Sequence, residues 1–527
     1  MKTANQKGVA LITTLILLAV LSTMAVSFMF LSQTETWSTM NYRLMSQGRD
    51  GAEAGVNAAA NFLLGNNTTY VYTPPAATGT DLLSSYTLTS YPVKYNGSAV
   101  ILSASNNATA NYPYANASNN YNTTGVGKGS MTVGSLTVNY NTYATLLAMR
   151  NVTVYGGGTA TVQTWLITSD GVISNGVRLA TVEVSAILER PIVPAFGFAA
   201  FANSNQCSAL TFSQPNTATN SYDSTALSGG NPVISATDGN VGTNGNLNSS
   251  TAQINGSLST PAVGTGTCVN GVGGASTAET ASGGNLATGG IVELPQPISL
   301  IPPPVPSPMP PVTAQSGNTD CGTIPNCSNI ASKQIRLLPG TYGQISIGSA
   351  MTDIHLTPGK YYMDSFTMGN VNLIIDSTPV DAVTGTKVIL SVTGCATLNG
   401  GSTDCATYLA TAIDFSSSGL SNPSYNPLNF QIQFAGGGQF NNCAATAGAA
   451  NACPIIKVKC GNTGVAATIF APNNPIDLSA NGSFYGSAIG NTVTVSSGGT
   501  LTYDRNLKDG GYSVGNWVLG GFTWARF

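Results

Sequence analysis

The chain has 527 residues, of which only 7% are charged, with a net charge of −3 and a single histidine, His355. No Lys or Arg lies between Arg190 and Lys333, so most of the chain lacks the clustered basic footprint that nucleic-acid binding needs. One histidine rules out multi-histidine metal sites, and the wealth of Ser, Thr and Asn with 60 glycines is a composition that extracellular β-rich proteins often present.

Residues 1–8, MKTANQKG, carry Lys2 and Lys7 as their only charges, and residues 9–31 carry none. A helix of 23 such residues is about 34 Å long and spans a bilayer, and the two lysines before it favour an N-in orientation. A removable signal peptide fits poorly, because a cut after Ala25 leaves VSFMFL as the new terminus. Helical composition continues to Leu64, with Gly48, Gly51 and Gly55 as its weak points, and Gly65-Asn66-Asn67 reads as a stop. One helix is expected over 9–64, apolar in its first half and amphipathic in its second.

The basic leader ending in Gly8, the run GVALITTLILL and the phrase RDGAEAGVNAAANFL at 49–63 together resemble the N-terminus of PilX-like minor pilins of type IV pili. The resemblance covers residues 1–64. It implies cleavage by prepilin peptidase between Gly8 and Val9. It also implies an inner-membrane anchor that later joins a pilus at the cell surface, and partners among other pilins, minor pilins and the assembly machinery. Major pilins carry Glu at the fifth mature position, where this chain has Thr13. A carboxylate inside a bilayer needs a partner, and Thr13 cannot pair with a neighbouring subunit's amine. The same absence is known in the K-type minor pseudopilins, which sit at the tip.

Residues 65–195 read as a pilin-like β-domain. Segments 132–140, 159–167 and 177–188 alternate with period two, while Ser169-Asp170-Gly171 and Ser174-Asn175-Gly176 are turn signals between the last two. Residues 104–124 read as a polar surface loop. Asn107, Asn116 and Asn122 match the glycosylation pattern there, as composition alone would produce.

Residues 196–527 read as a Gly/Asn-rich head with the fold of a right-handed β-solenoid or β-helix, making the whole chain mainly β with one long N-terminal helix. Within the head, 295–311 holds nine of the 27 prolines and should be extended polyproline II, as a hinge or a surface strap. LLPGTY at 337–342 recurs as LTPGKY at 356–361. Solenoids show offsets of this size, with periods near 20. Short strands separated by Asn/Gly turns recur about every eight residues near 468–471, 476–478, 484–489, 493–495 and 501–503. An irregular β-sandwich is the competing architecture. The phrases GNVGTNG, INGSL, LLPGTY and the run 471–504 also resemble a domain found behind PilX-like N-termini in large minor pilins, a likeness that adds architecture without chemistry.

None of the nine cysteines forms a CxxC pair, which disfavours a zinc ribbon, and disulfides in an oxidising compartment are expected. The expected pairs are Cys321–Cys327, Cys395–Cys405, Cys443–Cys453 and Cys207–Cys268, leaving Cys460 free. No cofactor or metal is expected. Asp238-Gly239-Asn240 suggests Ca²⁺ but lacks a full DxDxDG loop.

Two functions from different classes follow. The first is a non-enzymatic minor pilin that presents its head for adhesion or surface interaction, with a possible glycan ligand. The alternative is a membrane-tethered carbohydrate-active β-helix enzyme, which needs paired carboxylates. The candidate acids are Asp353, Asp364, Asp376, Asp381, Asp404 and Asp414. The spacing of the first three is out of step with the repeat, and they read as turn residues. His355 reads as a packed or surface histidine. Tyr342, Tyr361, Tyr362, Phe484 and Tyr485 read as sugar-stacking candidates or core.

Overall fold

The computed structural model describes residues 7–64, 85–133, 136–174, 179–214, 217–249, 251–280, 287–376, 385–398, 405–435, 453–460, 464–480, 482–496 and 498–526. The expected leader residues before Lys7, the stop at Gly65-Asn66-Asn67, the turn residues Asn175 and Gly176, Asp381, Asp404 and Cys443 lie outside them. The chain divides into two compact units: 1–150 with 161–190 and 517–527, and 151–160 with 191–516. The boundary expected from sequence lies between Ala195 and Phe196, and two stretches fall on the other side of it. Residues 151–160 belong to the second unit, and 517–527 belong to the first.

In the first unit, α1 runs unbroken over Lys7–Leu64. Its second half buries Leu44, Gln47, Ala52, Val56, Ala59, Ala60 and Leu63, the three-and-four spacing of one helical face. That face meets an antiparallel sheet of β1 (Ile101–Ser103), β2 (Lys128–Val133), β3 (Leu136–Thr153), β4 (Thr159–Ser174), β5 (Leu179–Glu189) and β6 (Val518–Arg526). The glycines expected as weak points are instead its contact line. A Cβ on Gly51 would lie 2.3 Å from Val138 Cγ1, and one on Gly55 would lie 2.2 Å from Ser169 Oγ. Opposite them, Gly171 leaves room for the helix backbone at Gly48 and Ala52. The expected turn at Ser169-Asp170-Gly171 is accordingly strand, paired with Val184, Glu183 and Val182 of β5. Local turn propensity yields to a close approach that only glycine permits. The expected loop 104–124 contains α2 (Ala115–Tyr121), anchored by buried Tyr121, whose ring meets Phe62 edge-on at 5.2 Å.

The second unit is built from parallel ladders. Ten strands pair in one path and ten in another, with a shorter third sheet beside them. The sequence repeat is a step in a parallel ladder: Ile335 and Leu337 pair in parallel with Ile354 and Leu356, and these with Leu373 and Ile375. Registered residues point the same way, so each inward row is a column of stacked apolar side chains. One column reads Tyr361, Leu390, Ile432, Ile469, Ala488, Ala200, Val241, Leu258 and Ile291. All but Ile291 are fully buried.

The order of that column is not the order of the chain. Strand Ala200–Ala202 pairs on one side with Val241–Thr243 and on the other with Ser483–Gly490. The chain enters the stack in its middle, winds to one end at Ile291–Glu293, and resumes at the opposite end with Ala314–Gly317. It then winds back to close on its starting coil. Nine interstrand steps of about 4.8 Å separate the two ends, about 43 Å. The roughly 20 residues between Glu293 and Ala314 reach only about 30 Å as helix but about 62 Å as polyproline II. The proline-rich segment is therefore a strap. Its burial repeats every two residues over 294–300, as extended backbone gives, and its buried positions thereafter are Pro303, Pro306 and Pro310. Asn244 holds it, donating to Ile298 O and accepting from Ile298 N.

Candidate functional site: the two-part helix

Residues 9–39 of α1 are exposed along their whole length. Leu11, Leu15, Leu18, Phe28 and Phe30 each present more than 60% of their surface. Water cannot be the surrounding medium of such a stretch in a stable protein. Its hydroxyls are already satisfied internally: Thr13 Oγ1 donates to Val9 O and Ala10 O at 3.0 Å, Thr14 to Ala10 O at 2.8 Å, and Ser27 to Thr23 O at 2.8 Å. Back-bonding of this kind lets Ser and Thr enter hydrocarbon without orphaned groups. The first acid of the helix is Glu35, beyond the apolar run. Gly8 and Val9 lie on the first turns of α1, and Thr13 lies one turn further on.

The second half of α1 carries an ion pair. Arg49 Nε meets Glu53 Oε1 at 2.7 Å, which raises the guanidinium pKa. Burial raises the Asp170 carboxyl although Asn107 Nδ2 donates to it at 2.7 Å.

In the second unit the candidate acids are occupied individually. Asp364 is buried and accepts from Thr393 Oγ1, Cys395 N and Gln344 Nε2; burial raises its pKa in spite of these donors. Asp353 accepts from Gln334 and Asn372, and Asp414 from Ser416. Asp376 accepts from His355 Nδ1 at 2.8 Å and from Arg336 Nε at 3.2 Å. That cluster escaped sequence reading, although Arg336 and His355 are one coil apart and face the same way. Among the described residues no group of three or more His, Cys, Asp or Glu side chains is placed to hold a metal ion, and Asp238 sits in a turn at φ 57°. Tyr342, Tyr361 and Phe484 are fully buried core, whereas Tyr362 and Tyr485 are half-exposed.

Disulfides join Cys207 to Cys268, Cys321 to Cys327 and Cys395 to Cys405, with Cα separations of 5.9, 5.7 and 5.5 Å. Cys453 is also disulfide-bonded, and Cys460 ends the strand Ile455–Cys460.

A helix bare and apolar in its first half fits a single-pass membrane anchor, and its second half packs on an antiparallel sheet ahead of a large, mainly β region. Residues 7–57 match the family described as PilX N-terminal. The N-terminal segment is thus PilX-like. Residues 313–510 match a domain of unknown function, DUF7305. No curated protein matches the chain significantly. Among solved structures, the competence-associated pilin ComZ from Thermus thermophilus is similar at 11% identity over 73% of this chain and 88% of that one, with a TM-score of 0.23.

Proposed function

We propose that the protein is a non-enzymatic minor pilin of the type IV pilus that acts in filament assembly or at the tip and carries a β-solenoid head for adhesion or surface interaction. The observation that carries this reading is the exposed apolar half of α1, continuous with a half already partnered by its own sheet. Lipid covers it before assembly, and the apolar helices of other pilins cover it afterwards. Lys2 and Lys7 favour N-in insertion in the inner membrane. Prepilin peptidase cleaves between Gly8 and Val9, leaving the helix on the mature protein. The parallel register and the regular return of each coil support the solenoid reading of the head.

Tip placement follows from size and from Thr13. A head that takes up 151–160 and 191–516, the larger part of the chain, conflicts sterically with itself in a tightly packed shaft. A first subunit has no neighbour above it whose amine would need a carboxylate. Mass spectrometry of the mature protein should give Val9 as its terminus. Labelled heads should decorate filament ends only, and heads spaced along the shaft would reject tip placement. Thr13→Glu places an unpaired carboxylate in the bilayer at a cost of at least about 2.5 kcal/mol and should impair filament initiation.

A further inference from the structure

Tyr425 has φ 50°, a left-handed conformation that is a genuine outlier for a bulky side chain. The loop around it is tied down to keep it there. Asn422 Nδ2 donates to Asn426 O and to Ala466 O, both at 2.9 Å, while Asn422 Oδ1 accepts from Ser424 Oγ at 2.7 Å. Asn426 Oδ1 in turn accepts from Leu428 N. Glycine or asparagine would hold this backbone with less strain, so the turn alone does not account for the aromatic ring.

The ring stands at right angles to that of Tyr485, with centroids 5.3 Å apart and an interplanar angle of 85°. Tyr485 meets Tyr222 in the same way at 5.2 Å and 74°, and Tyr222 Oη donates to Tyr425 O. Tyr222 is buried and braces the array, whereas Tyr425 and Tyr485 are half-exposed. Next in the chain to Tyr222, Asp223 takes Thr225 N, Thr225 Oγ1 and Asn506 Nδ2 on Oδ1 alone. Those donors hold its carboxylate ionised, and Oδ2 is left as an acceptor.

We infer that Tyr425 and Tyr485, with their rings set at right angles, line a binding site for a neutral saccharide. Sugar C–H faces stack on aromatic rings. A sugar hydroxyl can donate to Oδ2 of Asp223, and a chain of which only 7% is charged gives little grip on an ionic ligand. This inference rests on the reading of the second unit as a surface-interaction head and gives that head a ligand class.

The test uses the full-length protein in detergent, titrated calorimetrically with cellohexaose, maltohexaose and chitohexaose, and with a proline-rich peptide as the competing ligand type. Native protein should bind at least one of the saccharides. Tyr425→Gly relieves the backbone strain while removing the ring, so it should melt no lower than native protein and lose at least tenfold in affinity. Tyr485→Ala should lose as much, and Tyr512→Ala, an exposed tyrosine on another strand, should lose nothing. Failure of all three saccharides to bind, binding of the peptide alone, or undiminished binding by Tyr425→Gly overturns the inference. Filament incorporation of Tyr425→Gly is scored in parallel. Normal incorporation without saccharide binding defeats this site and leaves the pilin reading standing.

Discussion

At Gly48, Gly51 and Gly55 two effects oppose each other, and their sizes predict different outcomes. Alanine in a helix interior gains about 1 kcal/mol over glycine. At Gly48 the new Cβ would lie 3.3 Å from Val182 Cγ2, a contact that a few tenths of an ångström relieve, so Gly48→Ala should be neutral or mildly stabilising. At Gly51 both Cγ1 and Cβ of Val138 stand within 2.9 Å, and no rotation of Val138 clears them. Gly51→Ala should lower stability by about 1–3 kcal/mol net, and Gly55→Ala, against Ser169 Oγ and Tyr140, should behave alike; urea denaturation checks all three. Sequence could mark these positions but not assign them. Spacing places three glycines on one helical face, yet whether that face meets sheet or solvent depends on Gly171, far along the chain. Asp364 adds a pH prediction. Its pKa is raised in the folded state by burial, so the folded form holds the proton more tightly. The resulting stabilisation is present below the ordinary carboxylate range and is lost as pH rises through the raised value. Asp364→Asn, able to keep an oxygen for Thr393 and Cys395, should flatten the stability difference between about pH 4 and pH 7. A steeper dependence would reject this account.

The elements differ in how local their causes are, and that decides which were legible. The apolar helix and the repeat of LLPGTY as LTPGKY are short-range patterns, readable because a bilayer and a parallel ladder both impose a period on the chain. The strap was readable as extended backbone, but as a hinge or a surface strap alike. Its role depends on the distance it must cover, which no local pattern contains. That distance supplies a test. Deleting Pro302–Pro311 leaves about ten residues, at most about 36 Å even fully extended, against the roughly 43 Å between the ends of the stack. The deletion should pull a terminal coil out of register and expose it to protease. Deleting four residues of the same segment leaves about 50 Å of polyproline II and should be tolerated. Equal protease resistance of both deletions would show that the segment does not span the stack. Strand β6 (Val518–Arg526) is the element that sequence placed least well. Its partner residues Val182–Glu189 lie on the far side of the whole second unit in chain order, and Trp524, in a stretch that follows a long run without tryptophan, is the one local mark that sets it apart.

For the second unit as a body, the meeting of first and last coils in mid-stack determines which coils are terminal, and the terminal coils carry polar residues where the others carry apolar ones. The inward row of the second ladder reads Gln315, Ile345, Phe366, Ile413, Ile456, Ile476, Val493, Leu210, Leu247 and Glu279. The apolar run is closed at each end by a polar residue. Stacked strands otherwise offer open edges on which a further coil, or a second copy, can add. At the Gln315 end the antiparallel strand Cys327–Ala331 also interrupts the third sheet, and the Cys321–Cys327 disulfide pins its start. The buried Oε1 of Gln315 has no hydrogen-bond partner among the described residues, which costs about 1–3 kcal/mol. A residue that weakens its own fold at the edge of a stack is explained if it keeps other molecules from extending that stack. Gln315→Leu should therefore raise the melting temperature and at the same time increase self-association, measured by sedimentation against native protein in the same detergent. A variant that is more stable and no more associated would leave Gln315 as a packing defect; one that is less stable would mean the amide is held by a contact that the leucine loses.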